Sequence, residues 1–151
     1  MLNKKQKDEG ILYKILLALD GSKHGEKAAK EALQLAKLIK NVSITVLCVV
    51  QHGPTRSEMA DKHYNVKDLL SEKVNKKLLP SLRIFSVENI PIHLEIAIGN
   101  PADEIVQFAH TGQYDSIIMG SRGLNMLGEV MFGSVSHKVL HDARCPVMVV
   151  K

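Results

Sequence analysis

Ser116-Ile117-Ile118-Met119-Gly120-Ser121-Arg122-Gly123 decides how this chain is read: a brief apolar run opens directly into two glycines that bracket a serine and an arginine. An apolar run this short, with a turn immediately after it, reads as one buried strand of a parallel sheet. Nine residues further on stand Gly133-Ser134-Val135-Ser136, so the spacing is G-x2-G-x9-G-S. Small residues at two separated points let two backbone turns converge on one bulky anion, with Arg122 supplying charge and Ser134 and Ser136 supplying hydroxyls. The spacing is not the Walker A pattern, which requires four residues between the glycines and a Lys-Ser or Lys-Thr after the second.

Outward from that segment, strands and helices alternate. Tyr13 to Leu19 is a nearly continuous apolar run ending at Asp20-Gly21-Ser22, which reads as a first buried strand and its turn. Ser22 can cap a helix whose apolar face carries Ala29, Ala32, Leu33, Ala36 and Ile39. Ser43 to Val50 is rich in β-branched residues and makes a second strand. Gln51 to about Asn65 reads as a loop broken by Gly53-Pro54, and an amphipathic helix follows from about Val66 towards Leu82, which Pro80 is expected to kink or end. Pro91 to Ile98 alternates as a half-buried third strand near a sheet edge, and Gly99-Asn100-Pro101 supplies turn, cap and first-turn proline to the next helix. Beyond the glycine segment, Gly133 or Ser134 starts a further helix, and Pro146 to Val150 is a closing strand.

The resulting order, β-α-β-α-β-α-β-α-β, points to a single α/β domain over residues 11–151 behind a polar tail at 1–10. Its expected architecture is one doubly wound, five-stranded parallel sheet of order 3-2-1-4-5, sandwiched by helices in a Rossmann-like manner.

Composition narrows the function. The 151 residues suffice for one real core, and 45% are apolar but only 4% aromatic, with no Trp, so aliphatic side chains do the packing and there is no stacking platform for single-stranded nucleic acid. The formal net charge of +4 is mild and scattered through lysines, which reads as solvated surface and not a nucleic-acid site. Cys48 lies in an apolar run and Cys145 beside Pro146, so two reduced thiols are expected and not a disulfide. No stretch approaches the ~20 apolar residues of a membrane span, and the tail has no apolar region of the signal-peptide kind, so the expected location is the cytoplasm, with no membrane partner.

In open α/β sheets, ligands sit beyond the carboxyl ends of strands where the strand order reverses. With the order 3-2-1-4-5, Asp20 after the first strand and Gly120 after the fourth share one crevice. Gly133-Ser134 adds the unpaired amides and positive dipole end of a helix, suited to a phosphate chain.

These residues, taken in order, resemble the universal stress protein family, in its adenine-nucleotide-binding subgroup with an adenine nucleotide alpha hydrolase-like fold. The likeness covers the chain after the tail: the opening Ile-Leu-Leu-Ala-Leu-Asp-Gly-Ser, the Val-Leu-Cys-Val-Val strand, Gly99-Asn100-Pro101-Ala102, the complete glycine motif and the closing Cys-Pro-Val-Met-Val-Val. The resemblance implies that Ala18, Leu19 and Asp20 lie along the adenosine, with Asp20 facing the ribose or the adenine edge. It implies that Val49 presents its backbone to the adenine and that Met119 packs on the nucleoside. Gly120, Arg122, Gly123, Gly133, Ser134, Val135 and Ser136 would surround the phosphates. The family often carries His before the valine of the second strand; Cys48 stands here, which leaves backbone recognition of the base without an imidazole.

The ligand so implied is ATP, or the related ADP or AMP. Arg122 is the one cation the sequence places beside the phosphates, so a magnesium ion is expected to accompany a triphosphate. The resemblance also suggests that Val147 to Val150 pairs across a two-fold axis in a homodimer, which would cover an apolar edge strand. Ser121 is not a nucleophile-elbow serine, because Met119 stands where glycine is needed. His137 and His141 are four apart but have Lys138 where a zincin motif has Glu, so they read as a surface or capping pair. No base is evident beside a γ-phosphate, which favours a nucleotide-dependent sensor that an unidentified protein partner reads over a weak ATPase. A ligand-free structural dimer is the remaining alternative.

Overall fold

The computed structural model describes residues 11–60, 65–122 and 133–151. Among these described residues ten elements follow one another: β1 (Tyr13–Ala18), α1 (Lys23–Leu38), β2 (Val42–Val50), α2 (Arg56–Ala60), α3 (Val66–Val87), β3 (Ile92–Ile98), α4 (Pro101–Thr111), β4 (Ser116–Gly120), α5 (Ser134–Asp142) and β5 (Val147–Val150). The strands form one five-stranded sheet in the expected order β3-β2-β1-β4-β5, with every neighbouring pair parallel.

The sheet is buried on both faces because apolar side chains dominate both faces of its central strands, with Thr45 of β2 and Ser116 of β4 buried among them. On β1, Ile15 and Leu17 join the core beneath α1 and α3, and Leu16 and Ala18 join the core beneath α4 and α5. β2 divides likewise, with Ile44, Val46 and Cys48 on the first side and Leu47 on the second. β3 lies at the edge, where Ile92, Leu94 and Ile96 pack inward and His93 and Glu95 are exposed. The two charge-bearing or polar positions discourage pairing with a further strand there.

Helix starts follow the residues that mark them. Ser22 Oγ accepts the Gly25 N–H at 3.0 Å, and Asn100 Oδ1 accepts from Ala102 and Asp103 at 3.1 and 3.3 Å. Two expectations need correction. The stretch after β2 is not all loop, since Arg56–Ala60 forms a helical turn whose entry is stitched by Thr55 and Glu58. Of the two roles expected for Pro80, kinking or ending the helix, the second does not hold, and α3 continues past Leu82 to Val87. A mid-helix proline costs about 3 kcal/mol, but the downstream turns bury Ser81 and all of Phe85, and a fully buried phenylalanine returns about 1.5–3 kcal/mol. Pro80 and Lys76 both lie on the exposed side, where water can take the Lys76 carbonyl that lost its donor.

Candidate functional site

The strand order reverses between β1 and β4, and there Ala18 pairs with Met119 in register. The exits of the two strands are therefore neighbours. The β1 exit turns at Gly21, whose φ of +81° a side chain would strain, and Asp20 Oδ1 accepts the Ser22 N–H at 3.0 Å. That bond points the carboxylate back over the start of α1.

The β4 exit is tied to three elements through Ser121, which is buried. Its N–H donates to the Val150 carbonyl of β5 at 2.7 Å, and its own carbonyl accepts the Gly133 N–H at 2.8 Å. Ser136 Oγ lies 3.0 Å from that same carbonyl and 3.0 Å from the Gly133 carbonyl. Ser121 Oγ is 2.9 Å from His24 Nδ1 of α1, and Ser22 Oγ donates to the Arg122 carbonyl at 3.2 Å. Gly120 has a separate reason to be glycine: a Cβ there would stand 2.7 Å from the His24 carbonyl carbon and 2.9 Å from the Gly25 nitrogen. The first turn of α1 can thus press against the end of β4.

The start of α5 differs from the other helix starts. Gly133 is its N-cap and provides no side-chain hydrogen bond, and the first intrahelical bond runs from His137 to the Gly133 carbonyl. The amides of Ser134, Val135 and Ser136 consequently have no acceptor within the helix, and a helix start of this kind favours negative charge.

These pieces enclose a cleft of about 520 Å³. Ala18, Leu19, Asp20, Val49, Met119, Gly120, Arg122, Gly133, Ser134, Val135 and Ser136 all line it. Gly123, the remaining expected contact, and the 124–132 segment lie outside the described residues.

Residues 13–151 match the Universal stress protein family. The chain belongs to that family. A universal stress protein of Methanocaldococcus jannaschii is 33% identical over 144 residues, which is 95% of this chain and 84% of the relative. The solved universal stress protein UspA from Lactobacillus plantarum superposes with a TM-score of 0.71 at 26% identity, covering 92% of this chain and 97% of that one. A universal stress protein from Archaeoglobus fulgidus, solved in complex with dAMP, shares the fold at a TM-score of 0.65 and 22% identity, covering 93% of this chain and 98% of that one.

On this universal stress protein scaffold the cleft also takes residues that sequence reasoning did not single out. Pro101 and Ile105 of α4 give it an apolar wall, Gln51 and His52 follow β2 into it, and Lys77 reaches it from α3. Arg122 is therefore not the only cation at the cleft. Nothing in the periodicity of α3 marks Lys77, because its placement depends on Gly21, far away in the chain. His24 was equally hidden, lying 97 residues from Ser121; the one local clue is Gly120, a glycine that ends a strand with no turn of its own to make.

Cys48 packs into the core beneath α1 and α3, one residue before Val49. Burial pushes its thiol pKa up; the positive charge of Lys77 opposes this and the negative charge of Asp20 adds to it. Both cysteines are free thiols. His141 Nδ1 lies 2.6 Å from Asp142 Oδ1 at an exposed position. Among the described residues no cluster of three or more His, Cys, Asp or Glu could hold a metal ion, and no helix is long and apolar enough to cross a membrane.

Proposed function

We propose that the cleft binds ATP or a related adenine nucleotide, and that the protein acts in the cytoplasm as a dimeric, nucleotide-dependent regulator of a stress response. The observation that carries this reading is the uncapped start of α5. Ser134, Val135 and Ser136, whose amides have no acceptor within the helix, line the same cleft as Arg122 and Asp20. An anion held at those amides leaves the apolar surface of Ala18, Val49, Met119 and Ile105 for a flat base, and Asp20 for hydroxyl or amino donors. The backbone of Val49 would read the adenine edge. Family membership supports the reading; the neighbour solved with dAMP is similar in fold alone and adds only that such a fold accepts an adenine nucleotide in that protein.

A magnesium ion accompanying the triphosphate would be held by phosphate oxygens, since the described side chains offer no carboxylate cluster for it. β5 ends the sheet, with Met148 40% exposed, and an apolar edge strand of this kind would be covered by the same strand of a second copy. Occupancy of the cleft would then alter a surface that a protein partner reads.

Freshly purified protein, denatured and analysed by chromatography, tests the reading. Release of ATP supports a nucleotide-holding regulator, and release of ADP supports turnover at the same cleft. Protein that carries no nucleotide and binds none on addition of ATP would overturn it.

A further inference from the structure

Lys77 projects from α3, on the opposite side of the sheet from α4 and α5, yet lines the cleft. It crosses over the β1 exit on a bed of bare backbone. A Cβ built at Gly21 would come within 2.8 Å of Lys77 Cγ and 3.1 Å of Lys77 Cε, so the aliphatic stem lies flat where Gly21 has no side chain. Lysine stems commonly cover backbone or apolar surface in this way while the ammonium stays in water. Lys77 is exposed at its helix position and lines the cleft, so its head can stay in water there.

Beside Gly21, Asp20 Oδ1 accepts the Ser22 N–H at 3.0 Å. Arg122 enters from the other side, after β4, and its carbonyl is anchored by Ser22 Oγ. Two cationic side chains from distant parts of the chain thus border one cleft, one on each side of β1.

We propose that Lys77 is a second cation of this cleft, holding the anionic part of the ligand between α3 and the turn after β4, with Gly21 kept bare as the seat for its stem. The proposal rests on the nucleotide reading of the cleft and deepens it. It assigns the ligand class as a nucleotide carrying more than one negative charge, favoured over the uncharged nucleoside.

Calorimetric titration of ATP and of adenosine into wild type, Lys77→Met and Lys77→Arg, each at low and at physiological ionic strength, tests it. Methionine keeps an apolar stem over Gly21 and removes the charge, and at an exposed position it should leave the melting temperature unchanged. Loss of one charge-assisted contact is expected to weaken ATP about tenfold at low salt in Lys77→Met, with a smaller effect as salt rises and none on adenosine. Lys77→Arg should restore most of the ATP affinity. Equal ATP affinity in wild type and Lys77→Met would overturn the proposal, as would equal weakening of ATP and adenosine, which would make Lys77 a structural prop for the nucleoside end. If wild type binds neither compound, the nucleotide reading itself fails, an outcome distinct from either of these.

Discussion

Replacing Gly120 with alanine perturbs the joint on which the cleft depends. The added Cβ would lie 2.7 Å from the His24 carbonyl carbon, 2.8 Å from His24 Cβ and 2.9 Å from the Gly25 nitrogen. Two of these atoms are main chain in the first turn of α1, so no rotamer change relieves the clash, and the helix start or the end of β4 must move. Overpacking of this kind costs about 1–3 kcal/mol. Displacement of His24 also strains its 2.9 Å hydrogen bond to Ser121, which adds about 0.5–1.5 kcal/mol if lost. For a domain of this size each kcal/mol shifts the melting temperature by about 2–4 °C, so Gly120→Ala should melt roughly 5–15 °C lower than wild type. Circular dichroism melts measure this, and a urea titration should show the midpoint falling with an unchanged slope. Gly133→Ala is the control, because among the described residues its Cβ would meet the Ser121 carbonyl at 3.3 Å and nothing else closer than 3.8 Å. A Gly120→Ala protein that melts with wild type and binds nucleotide equally well would refute the assignment of Gly120 as the contact point between β4 and α1.

Three other outcomes follow from particular contacts. Arg122→Ala should weaken ATP by roughly 1.5–3 kcal/mol in titration calorimetry while leaving adenosine nearly unchanged, as expected for one hydrogen bond to a charged group; equal losses for both ligands would remove Arg122 from the phosphate end. Pro80→Ala should raise the melting temperature, because it restores an N–H to an exposed turn of α3 and removes a mid-helix penalty of up to about 3 kcal/mol; a lower melting temperature would mean that the proline rigidifies the chain more than it harms the helix. Cys48 should resist alkylation in the folded protein at neutral pH, since burial both shields the thiol and raises its pKa, so the reactive thiolate appears only as pH rises beyond the ordinary thiol range; rapid modification without unfolding would contradict its place in the core.

The sheet was legible because its strands carry so few polar residues. Ile15 to Ala18 and Ile117 to Met119 are apolar on both sides of the strand, which only a sheet covered on both faces accommodates. Ser22 and Asn100-Pro101 announced their helices because capping is a local interaction, completed within three residues. The full reach of α3 was less legible for the opposite reason. Local chemistry stops a helix at Pro80, and what carries it onward is Phe85, whose burial partners come from distant elements.

The cleft divides in the same way. Asp20, Arg122 and Ser134 are recognisable because their residue types suit a ligand and they stand at strand exits or at a helix start. Lys77 and His24 act through Gly21 and Ser121, and pairings of that separation leave no trace in local spacing. Gly120 illustrates how a motif residue can be found for one reason and needed for another. Its position in the glycine pattern suggested approach to a phosphate, and the structure adds the approach of a helix.

The most direct test of the account is a titration of ATP into isotope-labelled protein, followed by amide chemical-shift changes. The account predicts saturable shifts concentrated at Leu19 and Asp20, at Val49, and at Ser134, Val135 and Ser136, with one nucleotide bound per chain. Saturable shifts confined to the opposite ends of the strands, or no shifts at all, would contradict it.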